Sequence, residues 1–216
     1  MIQITRRKTV FSGSEEDLER LRSKFDRQHY LRFHRFLEPR LMRVIQEEVV
    51  THGKFYKKRH HGLAFELCMR ANKTDRLLHF ILNDEKLFQL IQKITGCGPI
   101  GCFNGRVYRM VPGLGHYHEW HSDLAHHRIL GVSINLSPKV FQGGAFKLRN
   151  SKTRKSILEV VNTGFGDLLL FRLASDLEHR VSDIEGKAAK IAFAGWFSTR
   201  PKYLSSLKQY LRRPKK

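Results

Sequence analysis

The stretch RVYRMVPGLGHYHEWHSDLAHHRILGVSINLSP, residues 106–138, is built of short β-branched or aromatic runs punctuated by Pro, Gly, Asn and Ser. RVYRMV and ILGVSINLS have the composition of strands, and HYHEWHS lies between them as a third. The same style continues to residue 197 through AFKLR, SILEVV, DLLLF, HRVSDI and AAKIAFAGWF. About eight strands at this spacing predict a closed or sandwiched antiparallel β fold.

Upstream of residue 100 the pattern is helical. EEDLERLRSKF places acids at a helix start, and EPRLMRVIQEEVVTHG repeats apolar residues at Leu41, Met42, Ile45 and Val49 before stopping at Gly53. TDRLLHFILNDEKLFQLIQKITG predicts two short helices, broken at Asn83-Asp84 and ended by Gly96. PKYLSSLKQYLRR puts Tyr203, Leu204, Leu207, Tyr210 and Leu211 on one face, which predicts a docked C-terminal helix with a basic outer side. The expected fold class is α+β, mainly β: a double-stranded β-helix (jelly roll) core with helices packed outside. Within one domain spanning 1–216, residues 1–99 form the helical support, 100–199 the jelly-roll core and 200–216 the basic tail.

The chain has 216 residues and 41% hydrophobic content, enough for one core. Its 40 Lys and Arg against 20 Asp and Glu give a net charge of +20. Residues 1–60 carry 15 basic and 8 acidic side chains, 61–199 carry 18 and 12, and 200–216 carry 7 and none, for nets of +7, +6 and +7. Such a field would attract nucleic acid or another polyanion, and it also keeps a protein soluble. No apolar run reaches the length of a membrane span, and the N-terminus lacks the apolar core of a secretory signal. Cys68, Cys97 and Cys102 have no metal-type spacing and suit a reducing compartment, so a cytoplasmic protein is expected.

Five of twelve histidines fall in GHYHEWHSDLAHH. His121 and Asp123 share the parity of an extended segment and can grip one ion together, whereas His116 and His118 would face away. The pair alone is weak, because twelve histidines with 20 acids in 216 residues give about one such spacing by chance. His179 opens another predicted strand, and a double-sheet roll can return it beside Asp123. Two His and one carboxylate form a facial triad that leaves positions of an Fe(II) ion open, where a structural zinc site would want a fourth ligand. In AAKIAFAGWF, Lys190 shares a face with Ala192, Ala194 and Trp196. A buried ammonium there needs a partner, and a dicarboxylic acid chelating the metal at its other end would supply one. The alternative has Lys190 on the outer face, reaching water.

These segments, with FQGGAFKLRN and TGFGDLLLFRLASDLEHRVSDIEGKAAKIAFAGWF, resemble the iron(II)/2-oxoglutarate-dependent oxygenases of the prolyl 4-hydroxylase type over roughly residues 100–198. RFHRFLEPRLMRVIQ also resembles that family's entry strand and helix. The resemblance implies that His121, Asp123 and His179 ligate iron and act in catalysis, and that Lys190 binds the distal carboxylate of 2-oxoglutarate. It makes Gly143-Gly144 a turn and Asp167 the opening of a strand. The family often has tyrosines where Val111 and Asn135 stand here, and Asn135 can still donate a hydrogen bond to the cosubstrate. The implied reaction is hydroxylation of a peptidyl residue, amino acid or small metabolite, with O2 consumed and succinate and CO2 released, and with ascorbate as a reductant. The alternatives are an oxygenase acting on nucleic acid, and a jelly-roll module that binds metal without catalysis. Nucleic-acid demethylases carry paired arginines after the distal histidine, and HRVSDIEGKAAKIAFAGWF has none. His126 and His127 are expected in a loop at the entrance, Glu119 in solvent, and Tyr117 and Trp120 packed or lining the entrance. Arg109, Arg128, Arg149 and Arg172 are candidates for an acidic substrate or for solvent-facing positions.

Overall fold

The computed structural model of the protein describes residues 1–125 and 127–200. In chain order the elements are β1 (Ile2–Ile4), β2 (Thr9–Phe11), α1 (Glu15–Gln28), β3 (Tyr30–Phe33), α2 (Pro39–His52), β4 (Phe55–His60) and β5 (Ala64–Met69). Then follow α3 (Lys73–Leu82), α4 (Glu85–Thr95), β6 (Cys102–Met110), β7 (Tyr117–His121), β8 (Arg128–Asn135), β9 (Gln142–Gly143) and β10 (Phe146–Asn150). The last are β11 (Ser156–Val160), β12 (Leu168–Arg172), β13 (Leu177–Val181), β14 (Ile184–Glu185) and β15 (Lys190–Ser198).

Local chemistry sets the helix ends. Ser14 and Asp17 form a reciprocal capping box at the start of α1. Pro39 occupies the first turn of α2, whose buried residues are Leu41, Met42, Ile45 and Val49, the four expected from periodicity. Asn72 and Asp84 cap α3 and α4 by accepting from the backbone N–H three residues on. Asn83 ends α3 and Gly96, with φ 57°, ends α4. Asn83-Asp84 therefore breaks the apolar run where the turn chemistry demands it.

One antiparallel sheet follows the order β11-β10-β13-β7-β5-β6-β15-β8-β12-β3, with β4 paired to β5. It curls on itself, so β11-β10-β13-β7 and β6-β15-β8-β12 face each other as the two layers of a jelly roll. Side chains from both groups, among them Tyr108, Met110 and Ala192 with Phe146, Leu148 and Val181, share one inner cluster. The outer face of the second group packs on the helices, where Val107, Ile191, Phe193 and Phe197 meet Leu78, Leu82, Leu87 and Ile91. β15 serves both sides because its alternate residues point oppositely.

The eight expected strands are all present. The expectation for residues 1–99 needs correction, since that region contributes five strands as well as four helices. β5 bridges β6 and β7 and thereby joins the two layers, and β3 pairs with β12. The β3 junction is pinned by Asp167, 2% exposed, which accepts from Arg32 Nη2 at 3.0 Å and the Arg35 N–H at 2.9 Å and pairs with His34 Nδ1 at 2.9 Å. The expected C-terminal helix falls on 201–216, and His126 stands at the other gap; both lie outside the described residues. Among the described residues no helix is long and apolar enough to cross a membrane.

Candidate active site

A cavity of about 210 Å³ lies between the layers and is walled by side chains of β6, β7, β8, β13 and β15. His121 and His179 are directly opposed in the β7–β13 pair, with ring centroids 4.4 Å apart. Asp123 stands two residues beyond β7. Its Oδ2 lies 3.7 Å from His121 Nε2 and 3.3 Å from His179 Nε2, so the three sequence-predicted ligands converge. His121 Nδ1 lies 2.7 Å from the Glu119 carbonyl. Donation from that nitrogen leaves the Nε2 lone pair free for a metal. The His179 ring is stacked on Phe146 and packed against Phe171, and burial lowers its pKa, which favours the neutral ligand form. For His121, burial works against the cation, but the bonds to Asp123 and Glu119 outweigh it and raise the pKa. Burial also opposes ionisation of Asp123, yet the two histidines hold its carboxyl well below the usual range. Trp196 Nε1 donates to Asp123 Oδ2 at 2.7 Å and Arg128 Nη1 to Oδ1 at 3.3 Å, which fixes the carboxylate's orientation.

Lys190 lines the same cavity, on the inner face of β15 with Ala194 and Trp196. The outward, solvent-reaching alternative is excluded, since the side chain is buried and its Nζ donates to the Gly144 carbonyl at 2.8 Å beside the Phe141 ring. Among the described residues it has no carboxylate partner, and burial pushes its pKa down to about 7. Gly144 has φ +59° and no room for a side chain: a Cβ would stand 2.3 Å from Ile184 Cδ1 and 3.2 Å from Lys190 Cδ. The glycine thus lets its carbonyl approach the ammonium closely.

Asn135 departs from expectation. Its Nδ2 donates to the Gly164 carbonyl and its Oδ1 accepts from the Ser137 N–H, so both ends of the amide serve a loop and the residue does not line the cavity. The hydroxyl-bearing residues that do line it are Tyr108 on β6 and Ser133 on β8.

A second cluster went unnoticed in the sequence. Glu66 of β5, fully buried, accepts from Arg106 Nε at 2.5 Å and from Cys68 Sγ at 3.2 Å, and pairs with His118 Nε2 at 2.8 Å and His60 Nε2 at 3.0 Å. Desolvation would raise its pKa, but His118, His60 and Arg106 together depress it far below the usual range. Burial and the neighbouring Glu66 push the Cys68 thiol up to about 12. His60, Glu66 and Cys68 have metal-ligand spacing, but the Arg106 guanidinium already occupies the carboxylate. His118 was expected to face away from His121, yet both line the cavity. The β7–β13 register slips by one residue between His118 and His121, and the bulge turns both imidazoles to one side.

The remaining candidates separate cleanly. Arg128 lines the cavity, its guanidinium 3.5 Å from the Trp196 ring centroid. Arg109 stacks on Phe55, Arg149 pairs with Glu178 over Trp120, and Arg172 pairs with Asp26 over Phe25. Glu119 and His127 are exposed, and Val111 leaves the cavity wall to others.

The donor set suits a single divalent iron: two imidazoles and one ionised carboxylate on one side, with the cavity open on the other. An uncompensated ammonium across the same cavity suits the far carboxylate of a keto diacid.

Residues 105–198 match the family model described as the 2OG-Fe(II) oxygenase superfamily. Among solved structures, a prolyl-4-hydroxylase of Pseudomonas putida superposes with a TM-score of 0.65 at 16% identity, covering 85% of this chain and 100% of that one. A Trichoplax adhaerens prolyl hydroxylase, solved with a hypoxia inducible factor peptide fragment, gives 0.61 at 16% identity over 92% and 94%. The alpha ketoglutarate dependent epimerase SnoN from nogalamycin biosynthesis gives 0.62 at 13% identity over 87% of each chain. Comparison with curated proteins gives no match.

Proposed function

We propose that the protein, whose residues 105–198 match the 2OG-Fe(II) oxygenase family model, is an oxygenase of that superfamily that hydroxylates an organic substrate at a C–H bond with 2-oxoglutarate as cosubstrate. The observation that carries this reading is the convergence of His121, Asp123 and His179 on one side of a cavity that has Lys190 on the other. His121, Asp123 and His179 would hold iron, and Lys190 would hold the distal carboxylate. Bound together, iron, 2-oxoglutarate and O2 supply an oxidant, with succinate and CO2 as co-products.

The chain's own residues do the positioning. Trp196 and Arg128 hold the Asp123 carboxylate, while the Glu119 carbonyl holds the His121 ring. Phe146, Phe171, Val132 and Val181 present apolar walls that limit water near the reacting centre. The chain would act as one domain, because among the described residues the sheet runs through both halves. Release of succinate from 2-oxoglutarate by the iron-loaded, reduced protein tests the proposal; no succinate under any substrate mixture would overturn it.

Lys190 makes the binding step depend on pH. Its folded pKa of about 7 lies below the ordinary 10.5, so between these values the free folded chain binds fewer protons than the unfolded chain. The folded state is then penalised as pH falls from 10.5 to 7, and Lys190→Met should raise the thermal midpoint of the metal-free protein near neutrality, the gap closing toward pH 10.5. A dicarboxylate favours the ammonium. At about pH 8 its binding should take up close to one proton, read by calorimetry in buffers of different ionisation heat. Lys190→Met should abolish that uptake and weaken binding; an unchanged proton count would remove Lys190 from the site.

A further inference from the structure

The charge a substrate meets in the cavity is set by the chain. Around it stand three cations, Arg106, Arg128 and Lys190, against two carboxylates, Asp123 and the Glu66 behind Arg106. A divalent metal and a dianionic cosubstrate add zero to that balance, so one positive charge remains. Pairing the groups locates it. Arg106 is matched by Glu66, and Lys190 by the cosubstrate's far carboxylate. The metal is matched by Asp123 together with the near carboxylate. Arg128 is left over.

Its surroundings are those of a receptor. The guanidinium is stacked on Trp196 at 3.5 Å, which fixes its plane, and Nη1 reaches Asp123 Oδ1. Among the described residues its other amino group has no protein partner, nor has either amino group of Arg106. Among the described residues none of these nitrogens is buried without a partner, and both arginines line the cavity. Stacked, partly dehydrated guanidinium groups with free forked donors recognise planar oxyanions. A cavity of about 210 Å³ shared with a five-carbon diacid leaves room for a compact group.

We propose that the primary substrate carries a carboxylate and that Arg128, with Arg106 beside it, receives it. The inference rests on the oxygenase reading of the cavity. The carboxylate could belong to a free amino or organic acid, or to an Asp or Glu side chain of a polypeptide.

The test uses zinc-loaded protein with 2-oxoglutarate, which binds without turning over. Two probe sets are titrated, with the thermal midpoint and calorimetric affinity as readouts: free L-amino acids against their carboxamides, and blocked Gly-Asp-Gly and Gly-Glu-Gly peptides against their Asn and Gln counterparts. At least one acid should bind about tenfold or more tightly than its neutral amide. Arg128→Gln should erase that difference. Arg128→Lys, which keeps the charge but loses the fork, should retain part of it and covers the case of an unstable Gln variant. A response to free acids or to peptides identifies the source. Amides binding as well as acids, no acid binding in either set, or a preference surviving in both variants would overturn the proposal. The oxygenase reading fails separately, if the iron-loaded protein releases no succinate with or without the bound acid.

Discussion

Asp123→Ala is expected to abolish turnover, with metal affinity falling by more than the ~10–100-fold typical of disturbing even the outer shell of such a site. Asp123 is the point to which both imidazoles are directed, at 3.7 and 3.3 Å, and to which Trp196 and Arg128 donate. Removing it takes away one ligand of three and brings Arg128 beside the two imidazoles without an opposing charge. Metal stoichiometry by titration and succinate release measure the two consequences separately. A variant that keeps wild-type affinity and turnover would move the metal elsewhere, with the His60, Glu66 and Cys68 group as the only other set of metal-type spacing among the described residues.

Glu66→Ala should cost the fold about 1.5–3 kcal/mol, because it takes from the partly exposed Arg106 guanidinium and the buried His118 the charged acceptor they share. That is a large share of the total stability of a single domain. Arg106, His118 and His60 all converge on this carboxylate, and β5 carries it at the seam between the two layers. Urea unfolding at neutral pH reads the loss. The sign with acid follows from the depressed pKa: the contribution is complete above the ordinary value of 4.5 and declines as pH falls below it. The wild-type and variant midpoints should therefore approach each other in acid. A loss of less than about 1 kcal/mol would mean that water reaches the cluster freely.

What was legible in the sequence is tied to local chemistry. Turn residues delimit all eight jelly-roll strands, and Asn83-Asp84 and Gly96 mark the α3 and α4 ends, because caps and turns depend on neighbours only. Lys190 was legible because a strand's parity holds over AAKIAFAGWF. The failures are non-local. β4, FYKKRH, has no apolar alternation, since it pairs with β5 alone and its side chains are largely exposed. The one-residue bulge in β7 reversed the parity that had turned His118 away. Glu66 and its partners Arg106 and His118 lie 40 and 52 residues apart in the chain, so no window contains them. Asn135 had the right type and place for the cosubstrate, but the Gly164 carbonyl and Ser137 N–H claimed its amide.

The pairing of β3 with β12 carries a consequence for synthesis. Arg32 and Asp167, which pin that pairing, are 135 residues apart. As the chain leaves the ribosome, Tyr30–Phe33 emerges long before Leu168–Arg172, its sheet partner among the described residues. During that interval the strand is an open edge beside an amphipathic helix, a state prone to pairing with the wrong chain. Long-range closure of this kind also makes folding slow relative to helical proteins of equal stability. Crowded expression should thus favour aggregates nucleated by the N-terminal segment, and a lower concentration of nascent chains should favour the folded protein.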